Sequence, residues 1–248
     1  MAPTIYLVRH GEAEHNAACD LSIPDPSLTN KGGEQCRDLA SSFPYKDRIA
    51  LVVASPMRRT LQTAHWAFIA AAPGEEEKEK HLRHNILALG ELQECSVFPC
   101  DTGRPVEELA AECGDLLDLS RVEPHWNSKR LLYAGTQSAI RERAQRAREI
   151  LRELAAALAG IEGGDDAYIV VVSHGTLIQY LIERPDAIRK QFGNCEWRSY
   201  KFVDLYGTDP TTAGLVETNE SFYRWNGPLN MRSPQEADDL VAAEKCRQ

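Results

Sequence analysis

Continuous apolar runs and helix-like repeats alternate along the chain. TIYLV, from Thr4 to Val8, and IALVVAS, from Ile49 to Ser55, are short, unbroken and rich in branched side chains, so each predicts a buried strand. YIVVVSHGTLIQYLI, which starts at Tyr168, predicts another buried strand followed by an amphipathic helix. The stretch from Ile86 to Glu94 predicts a strand that leads into a loop.

Helical spacing of apolar residues fills most of the intervals between these runs. The helix predicted from Leu28 to Phe43 opens with a capping residue, either Thr29 or Asn30. A second helix is predicted directly after IALVVAS, with Pro56 at the start, where proline is favoured. PVEELAAECGDLLDL also has a helical pattern, and TQSAIRERAQRAREILRELAAALAGI is the longest helical stretch.

The remaining segments are less regular. SYKFVDLYG and SFYRW predict later strands, and the charged run PGEEEKEK predicts a solvated loop. Residues 98–135 carry little periodic pattern, so we expect an inserted segment that lies over the sheet and the site. Residues 233–248 form an acidic tail, predicted to be a surface helix or disordered.

Strands that alternate with helices, several of them unbrokenly apolar, predict an α/β fold: a three-layer αβα sandwich around a mainly parallel sheet. The length of 248 residues and the hydrophobic content of 43% suit one large domain, predicted to span residues 1–232.

Composition limits the classes of partner. The formal net charge of −9 argues against nucleic-acid or anionic-membrane binding. The seven cysteines contain no Cys-x-x-Cys pair and are odd in number, which favours reduced thiols. No secretory leader or membrane-length apolar run is present, so a cytoplasmic location is expected.

Polar side chains follow three of the predicted strands. Arg9 and His10 end the first strand, SPMRR from Ser55 ends the second, and His174 follows the late one. Because ligands of open α/β sheets gather at the carboxyl ends of the strands, we expect these groups to meet. Arginines and helix N-termini suit a phosphoryl group, and a neutral imidazole can attack its phosphorus.

Each of these residues also has an ordinary structural interpretation. A histidine at a strand end is more often structural than catalytic, and at least one of Arg58 and Arg59 is expected to be a surface residue. HLRH, from His81 to His84, is the one metal-like spacing, but it adjoins the charged run, so no metal site is expected there.

Taken together, these stretches resemble a known family. LVRHGEAEHN resembles the signature of the histidine phosphatase superfamily, the phosphoglycerate-mutase-like family, and the match is to phosphatases of its branch 1 type. SLTNKGGEQCRDLA, SPMRRTLQTA and VVSHGT resemble further blocks of that family, in the same order. The resemblance implies a phosphoglycerate-mutase-like fold and phosphoryl transfer through a phosphohistidine, without a metal or other cofactor.

The resemblance also implies residue roles. His10 matches the histidine that becomes phosphorylated, Arg9 the adjacent phosphate clamp, and His174 the second histidine, which contacts the transferring phosphoryl group. Arg59 matches the phosphate-binding arginine, with Arg58 its variable neighbour.

Other implied roles lie around these residues. Asn16 matches an asparagine near the phosphate, and Gly175 and Thr176 are assigned to phosphate binding. ELQE offers Glu91 and Glu94 as the general acid and base, and the family's Leu-x-Glu pattern favours Glu94. Here CSVFPCDTGRP replaces the Trp-Glu-Gly-like block of many relatives, which leaves the choice of carboxylate open.

Three activities are compatible with this pattern. A phosphatase that acts on a small-molecule phosphate ester is favoured over a mutase, because mutases of the family carry Ser and Asn where this chain has Ala13 and Thr176. A phosphoglycerate-type mutase is the first alternative, and an inactive or repurposed binding member is the second. The class of ester stays open, as does the choice between monomer and dimer.

Overall fold

A computed structural model describes residues 2–70, 85–161, 164–183 and 191–226. The strands in these ranges are β1 (Thr4–Arg9), β2 (Ile49–Ala54), β3 (Ile86–Ala88), β4 (Leu117–Asp118), β5 (Tyr168–Ser173), β6 (Trp197–Phe202) and β7 (Leu215–Glu217). They form one sheet in the order β4-β3-β2-β5-β1-β6-β7. The first five of these strands in the sheet are parallel, and β6 and β7 are antiparallel to their neighbours.

The α-helices of the described residues cover the sheet. They are α1 (Glu14–Ala18), α2 (Asn30–Ser42), α3 (Arg58–Ala64), α4 (Val106–Cys113), α5 (Gln137–Ala159), α6 (Gly175–Leu181) and α7 (Asn219–Asn226). Thr29, rather than Asn30, is the N-cap of α2, because its hydroxyl accepts the Gly32 N–H at 3.0 Å.

Alternate residues of the central strands point into two separate cores. On β1, Tyr6 and Val8 pack with α2 and α3, whereas Ile5 and Leu7 pack with α5 and α6. A strand buried on both faces needs apolar side chains at every position, which is why these strands are unbroken apolar runs. The α/β class and the mainly parallel central sheet predicted from the sequence are confirmed.

Three local predictions were wrong, and one strand was not predicted. Pro56 precedes the helix, which begins at Arg58 with Met57 as N-cap. The helix predicted over PVEELAAECGDLLDL stops at Cys113, because Gly114 has a φ of +52° and redirects the chain into β4. SFYRW lies in α7 rather than in a strand, and the strand β7 was not anticipated.

Other predictions fall partly or wholly outside the described residues. The charged run PGEEEKEK, the HLRH motif and the acidic tail at 233–248 are not covered. Within the described ranges, no helix has both the length and the apolar character needed to cross a bilayer.

Part of the irregular segment from 98 to 135 is packed tightly against the sheet. Trp126 has no exposed surface and belongs to the same core as β2 and β3. A Cβ atom on Gly103 would lie 2.1 Å from Trp126 Cη2, so glycine is required where the two segments meet. This contact fixes the chain directly after Cys100 and Asp101.

We expect Gly103→Ala to lower the free energy of unfolding by about 1–3 kcal/mol, because the new methyl group would overlap a buried indole that has no room to move. Urea denaturation measures the change. Gly160→Ala is the matched control: its Cβ atom would lie 3.5 Å from the nearest atom, and we expect a change within about 0.5 kcal/mol. Equal stability of the two variants would contradict this packing.

Candidate active site

Four cationic or imidazole side chains meet at the carboxyl ends of the parallel strands. Arg9 is the last residue of β1, His10 follows it, Arg59 lies in the first turn of α3, and His174 lies between β5 and α6. The rings of His10 and His174 have centroids 5.2 Å apart. The sequence-based expectation that these segments converge therefore matches the observed positions.

The His10 ring is held in one orientation. Its Nδ1 atom donates to the carbonyl oxygen of Gly11 at 2.7 Å, so the proton of the neutral ring sits on Nδ1 and Nε2 carries a free electron pair. Burial is the main cause that lowers the pKa of His10 well below its ordinary value, and Arg59 adds to it. The ring is therefore neutral near pH 7.

Arg59 is fully buried, and its guanidinium is fixed by three partners. Nε donates to His10 Nε2 at 3.2 Å, Nη1 to the carbonyl oxygen of Cys100 at 2.7 Å, and Nη2 to Asp101 Oδ1 at 3.0 Å. The buried Asp101 carboxylate thus balances the buried cation. Asp101 was missed by the sequence interpretation, because CDTGRP has the composition of an ordinary turn.

His174 is also buried and neutral. Its Nε2 lies 3.0 Å from the Ser55 hydroxyl, while Nδ1 has no partner among the described residues. Burial and the neighbouring charge of Arg59 lower the pKa of His174 well below its ordinary value. Because buried polar atoms normally have hydrogen-bond partners, His174 Nδ1 is suited to bind a ligand held beside His10.

Arg9 lies against the start of α6. Its Nη1 donates to the carbonyl oxygen of Phe192 at 2.6 Å, and its Nε has no partner among the described residues. A Cβ atom on Gly175 would lie 3.3 Å from that Nε, so the guanidinium crosses the first residue of the helix at close range. A second arginine is thereby placed at the edge of the cavity, with one N–H still available.

The two candidate carboxylates are separated by their surroundings. Glu94 lines the cavity, where it accepts the N–H groups of Cys95 at 2.9 Å and of Thr176 and Leu177, each at 3.2 Å. Glu91 is buried outside the cavity lining and pairs with Arg146 at 3.1 Å. A carboxylate has about four acceptor positions, so Glu94 keeps room for one further hydrogen bond.

Thr176, assigned to phosphate binding on the resemblance, contacts the candidate carboxylate. Its N–H donates to Glu94 Oε2 at 3.2 Å. The physical reason is that the Glu94 carboxylate occupies the N-terminal end of α6, where helix N–H groups attract an anion. Both Gly175 and Thr176 still line the cavity.

Asn16 lines the cavity beside a histidine that the sequence interpretation did not single out. Asn16 Oδ1 accepts the Ala13 N–H at 3.1 Å, and its Nδ2 donates to His15 Nε2 at 3.0 Å. Burial, with a contribution from Arg59, lowers the pKa of His15 to about 4. The His15 ring lies 6.2 Å from that of His10, so it contributes a third neutral imidazole.

A cavity with a volume of about 380 Å³ is lined by most of these residues, although His174 is not part of its lining. The lining includes Arg9 and Arg59, and also Leu21 and Gln191, which are exposed. Within the described ranges, His, Cys, Asp and Glu side chains form no cluster of three or more that could hold a metal ion. The arrangement can hold a compact anion beside an unprotonated imidazole nitrogen.

Comparison with known proteins agrees with this geometry. The family model described as histidine phosphatase superfamily (branch 1) matches residues 5–198. A probable phosphatase of Schizosaccharomyces pombe is 26% identical over 210 residues, which cover 80% of this chain and 89% of that protein. Phosphoglycerate mutase-like protein 1 of Arabidopsis thaliana is 26% identical over 246 residues, covering 83% and 84% of the two chains.

Solved structures share the fold at lower identity. A phosphoserine phosphatase of Entamoeba histolytica in complex with phosphoserine superposes with a TM-score of 0.51, at 20% identity, over 87% of this chain and 95% of that one. A putative alpha-ribazole-5'-P phosphatase of Escherichia coli gives a TM-score of 0.53 at 21% identity, over 84% and 94%.

The neutral state of His174 predicts a dependence of stability on pH. In the unfolded chain this ring gains a proton near its ordinary pKa of about 6.5, whereas the folded ring stays neutral well below it. The unfolded state then binds more protons, so the free energy of unfolding falls as the pH drops below about 6.5, by about 1.4 kcal/mol per pH unit for one such group.

We expect His174→Gln to make that dependence shallower by about 1.4 kcal/mol per pH unit between about pH 6 and pH 5, measured by urea denaturation. His125→Gln is the control, because His125 is exposed, and it should keep the wild-type slope. Identical slopes for wild type and His174→Gln would refute a buried neutral imidazole at this position.

Proposed function

This chain belongs to the histidine phosphatase superfamily (branch 1), and we propose that it hydrolyses a small-molecule phosphate monoester through a phosphohistidine on His10. The enzyme class predicted from the sequence, a hydrolase acting on phosphate esters, is confirmed by the family match and by the relative named a probable phosphatase. The residue roles and the route of the reaction are our proposal.

One observation carries the proposal. Nδ1 of His10 donates its proton to the Gly11 carbonyl oxygen, so Nε2 is unprotonated; it accepts from Arg59 Nε, and the ring lines the cavity beside His174. A structural histidine has no need of two buried cationic or imidazole neighbours, which make its own protonation unfavourable. The arrangement serves a reaction that uses the neutral ring.

In the first step, Nε2 of His10 attacks phosphorus, and the N–P bond forms as the bond to the leaving oxygen breaks. Arg59 Nε exchanges its hydrogen bond to His10 for an equatorial phosphate oxygen, and Arg9 Nε donates to another. His174 Nδ1 gains its missing partner in the same group. Positioning and charge stabilisation are the main contributions that a protein makes to phosphoryl transfer.

Glu94 acts as the general acid and then as the general base. It donates a proton to the leaving oxygen of the ester in the first step and removes one from the attacking water in the second, so that phosphate is released and His10 returns to its neutral form. Its position in the cavity, with one acceptor site still open, supports this role over that of Glu91. Asn16 holds the His15 ring at the cavity wall through its hydrogen bond and lies near the bound phosphate.

We favour hydrolysis over the mutase reaction. Ala13 is fully buried and offers no hydroxyl to a substrate, and the Thr176 N–H is engaged with Glu94. The mutase reaction is the alternative, because two relatives are named phosphoglycerate mutase-like proteins. A cytoplasmic location is also proposed, supported by the six free cysteines in the described part of the chain.

Removal of the nucleophile tests the reaction. We expect His10→Ala to lower hydrolysis of p-nitrophenyl phosphate by at least about 10³-fold, because the proposed covalent intermediate forms on the imidazole nitrogen that this variant removes. Rapid quenching in base, where the P–N bond of a phosphohistidine is stable, with labelled substrate should place the phosphoryl group on His10 in wild type. His125→Ala, which alters an exposed histidine, should retain activity. Turnover that persists in His10→Ala would contradict the mechanism.

The two carboxylates are distinguished by a matched pair of variants. We expect Glu94→Gln to slow the first step, release of the leaving group measured in a single turnover, by about 10²-fold or more with an alkyl phosphate and much less with p-nitrophenyl phosphate, because a good leaving group needs little protonation. Glu91→Gln should stay within a few-fold of wild type on both substrates. The reverse ranking would assign the proton transfer to Glu91.

A further inference from the structure

Two thiols lie together directly behind the loop that carries His10. Cys36, on α2, is fully buried, and Cys195, in the loop before β6, is partly buried. Their sulfur atoms are 3.8 Å apart, although the residues are separated by 159 positions in the chain. None of the site chemistry described above uses either thiol.

Both sulfurs flank Gly11. A Cβ atom on Gly11 would lie 3.3 Å from Cys36 Sγ and 3.4 Å from Cys195 Sγ, so the backbone of Gly11 passes beside the pair. The carbonyl oxygen of Gly11 is the acceptor that fixes His10 Nδ1. Any change in the separation of the sulfurs therefore occurs next to the group that orients the nucleophile.

The loop that carries Cys195 is bonded to the same strand end. The Cys195 N–H donates to the carbonyl oxygen of Arg9 at 3.0 Å, and Asn194 Nδ2 donates to that of His10 at 3.0 Å. Phe192, in the same loop, accepts from the Arg9 guanidinium. A displacement of this loop would thus move both the nucleophile and one phosphate clamp.

We propose that Cys36 and Cys195 form a reversible disulfide, a modification site at which an oxidant such as hydrogen peroxide switches off the adjacent His10. The consequence for turnover rests on the proposed function, whereas formation of the bond does not. Disulfide sulfurs are about 2.05 Å apart, so the pair must close by nearly half of its present separation. That closure draws the 192–195 loop across Gly11 towards α2.

The oxidation is balanced by the reduction of peroxide. One thiol of the pair attacks peroxide, the O–O bond breaks, and a sulfenic acid and water are produced. The second thiol then attacks that sulfur, the S–O bond breaks, and the S–S bond forms with release of a second water. In sum, two thiols lose two hydrogen atoms and one peroxide becomes two waters.

The electrostatics of the pair favour this chemistry. The pKa of the Cys36 thiol is lowered, first by the hydrogen bond from Cys195 and then, against the opposing effect of burial, by Thr63 and Arg37. The thiolate is the form that attacks peroxides. Cysteine pairs that oxidise in the cytosol are typically transient and redox-sensing, which fits thiols placed beside a catalytic loop.

The test treats the full-length protein with hydrogen peroxide, maps disulfide-linked peptides by mass spectrometry and measures p-nitrophenyl phosphate hydrolysis. We expect a linked pair of peptides containing Cys36 and Cys195, a loss of turnover of about 100-fold from displacement of the nucleophile, and recovery with dithiothreitol. Cys36→Ser and, as a second variant, Cys195→Ser should resist inactivation. Cys19→Ser, which removes an exposed thiol, should behave as wild type.

The outcomes separate the two proposals. Absence of the Cys36–Cys195 linkage under conditions that oxidise Cys19, or inactivation that persists in both serine variants, would overturn the modification site. A linkage that forms without loss of turnover would overturn its coupling to His10. An enzyme with no hydrolytic activity before oxidation would instead count against the proposed function, and peptide mapping would still decide the disulfide.

Discussion

The candidate site depends on one buried cation, Arg59. Its guanidinium reaches His10, the Cys100 carbonyl oxygen and Asp101 at once, and it has no exposed surface. A buried charge without a partner would cost several kcal/mol, so Asp101 is as necessary as the arginine itself. The segment that follows β3 is needed at the site because it carries Asp101, the partner of Arg59.

The same cation sets the state of the imidazoles. Burial and Arg59 together lower the pKa values of His10, His15 and His174, so the site holds three neutral rings beside positive charge. Neutral rings keep a free nitrogen for covalent chemistry and leave the arginines as the source of positive potential for an anion. The neutrality of the nucleophile and the affinity for phosphate therefore have one physical origin.

Packing at some distance preserves these short contacts. Trp126 fills the space against Gly103, and the Cys36–Cys195 pair adjoins Gly11, so both sides of the site are backed by close-packed atoms. Small displacements in such interiors are transmitted rather than absorbed. A modification of the thiol pair would for that reason reach the His10 ring through only one intervening residue.

Local sequence pattern was enough to predict the α/β class and the central strands, because unbroken apolar runs identify strands buried on both faces. It also predicted that Arg9, His10, Arg59 and His174 converge, because parallel strands bring their carboxyl ends to one edge. Local pattern failed where tertiary contacts decide. SFYRW is helical, the short strands β4 and β7 form only against neighbours, and Asp101 and His15 carry no local signal of their partners. The Leu-x-Glu pattern favoured Glu94 over Glu91, but their surroundings come only from tertiary contacts: Glu94 accepts from the start of α6, whereas Glu91 pairs with Arg146.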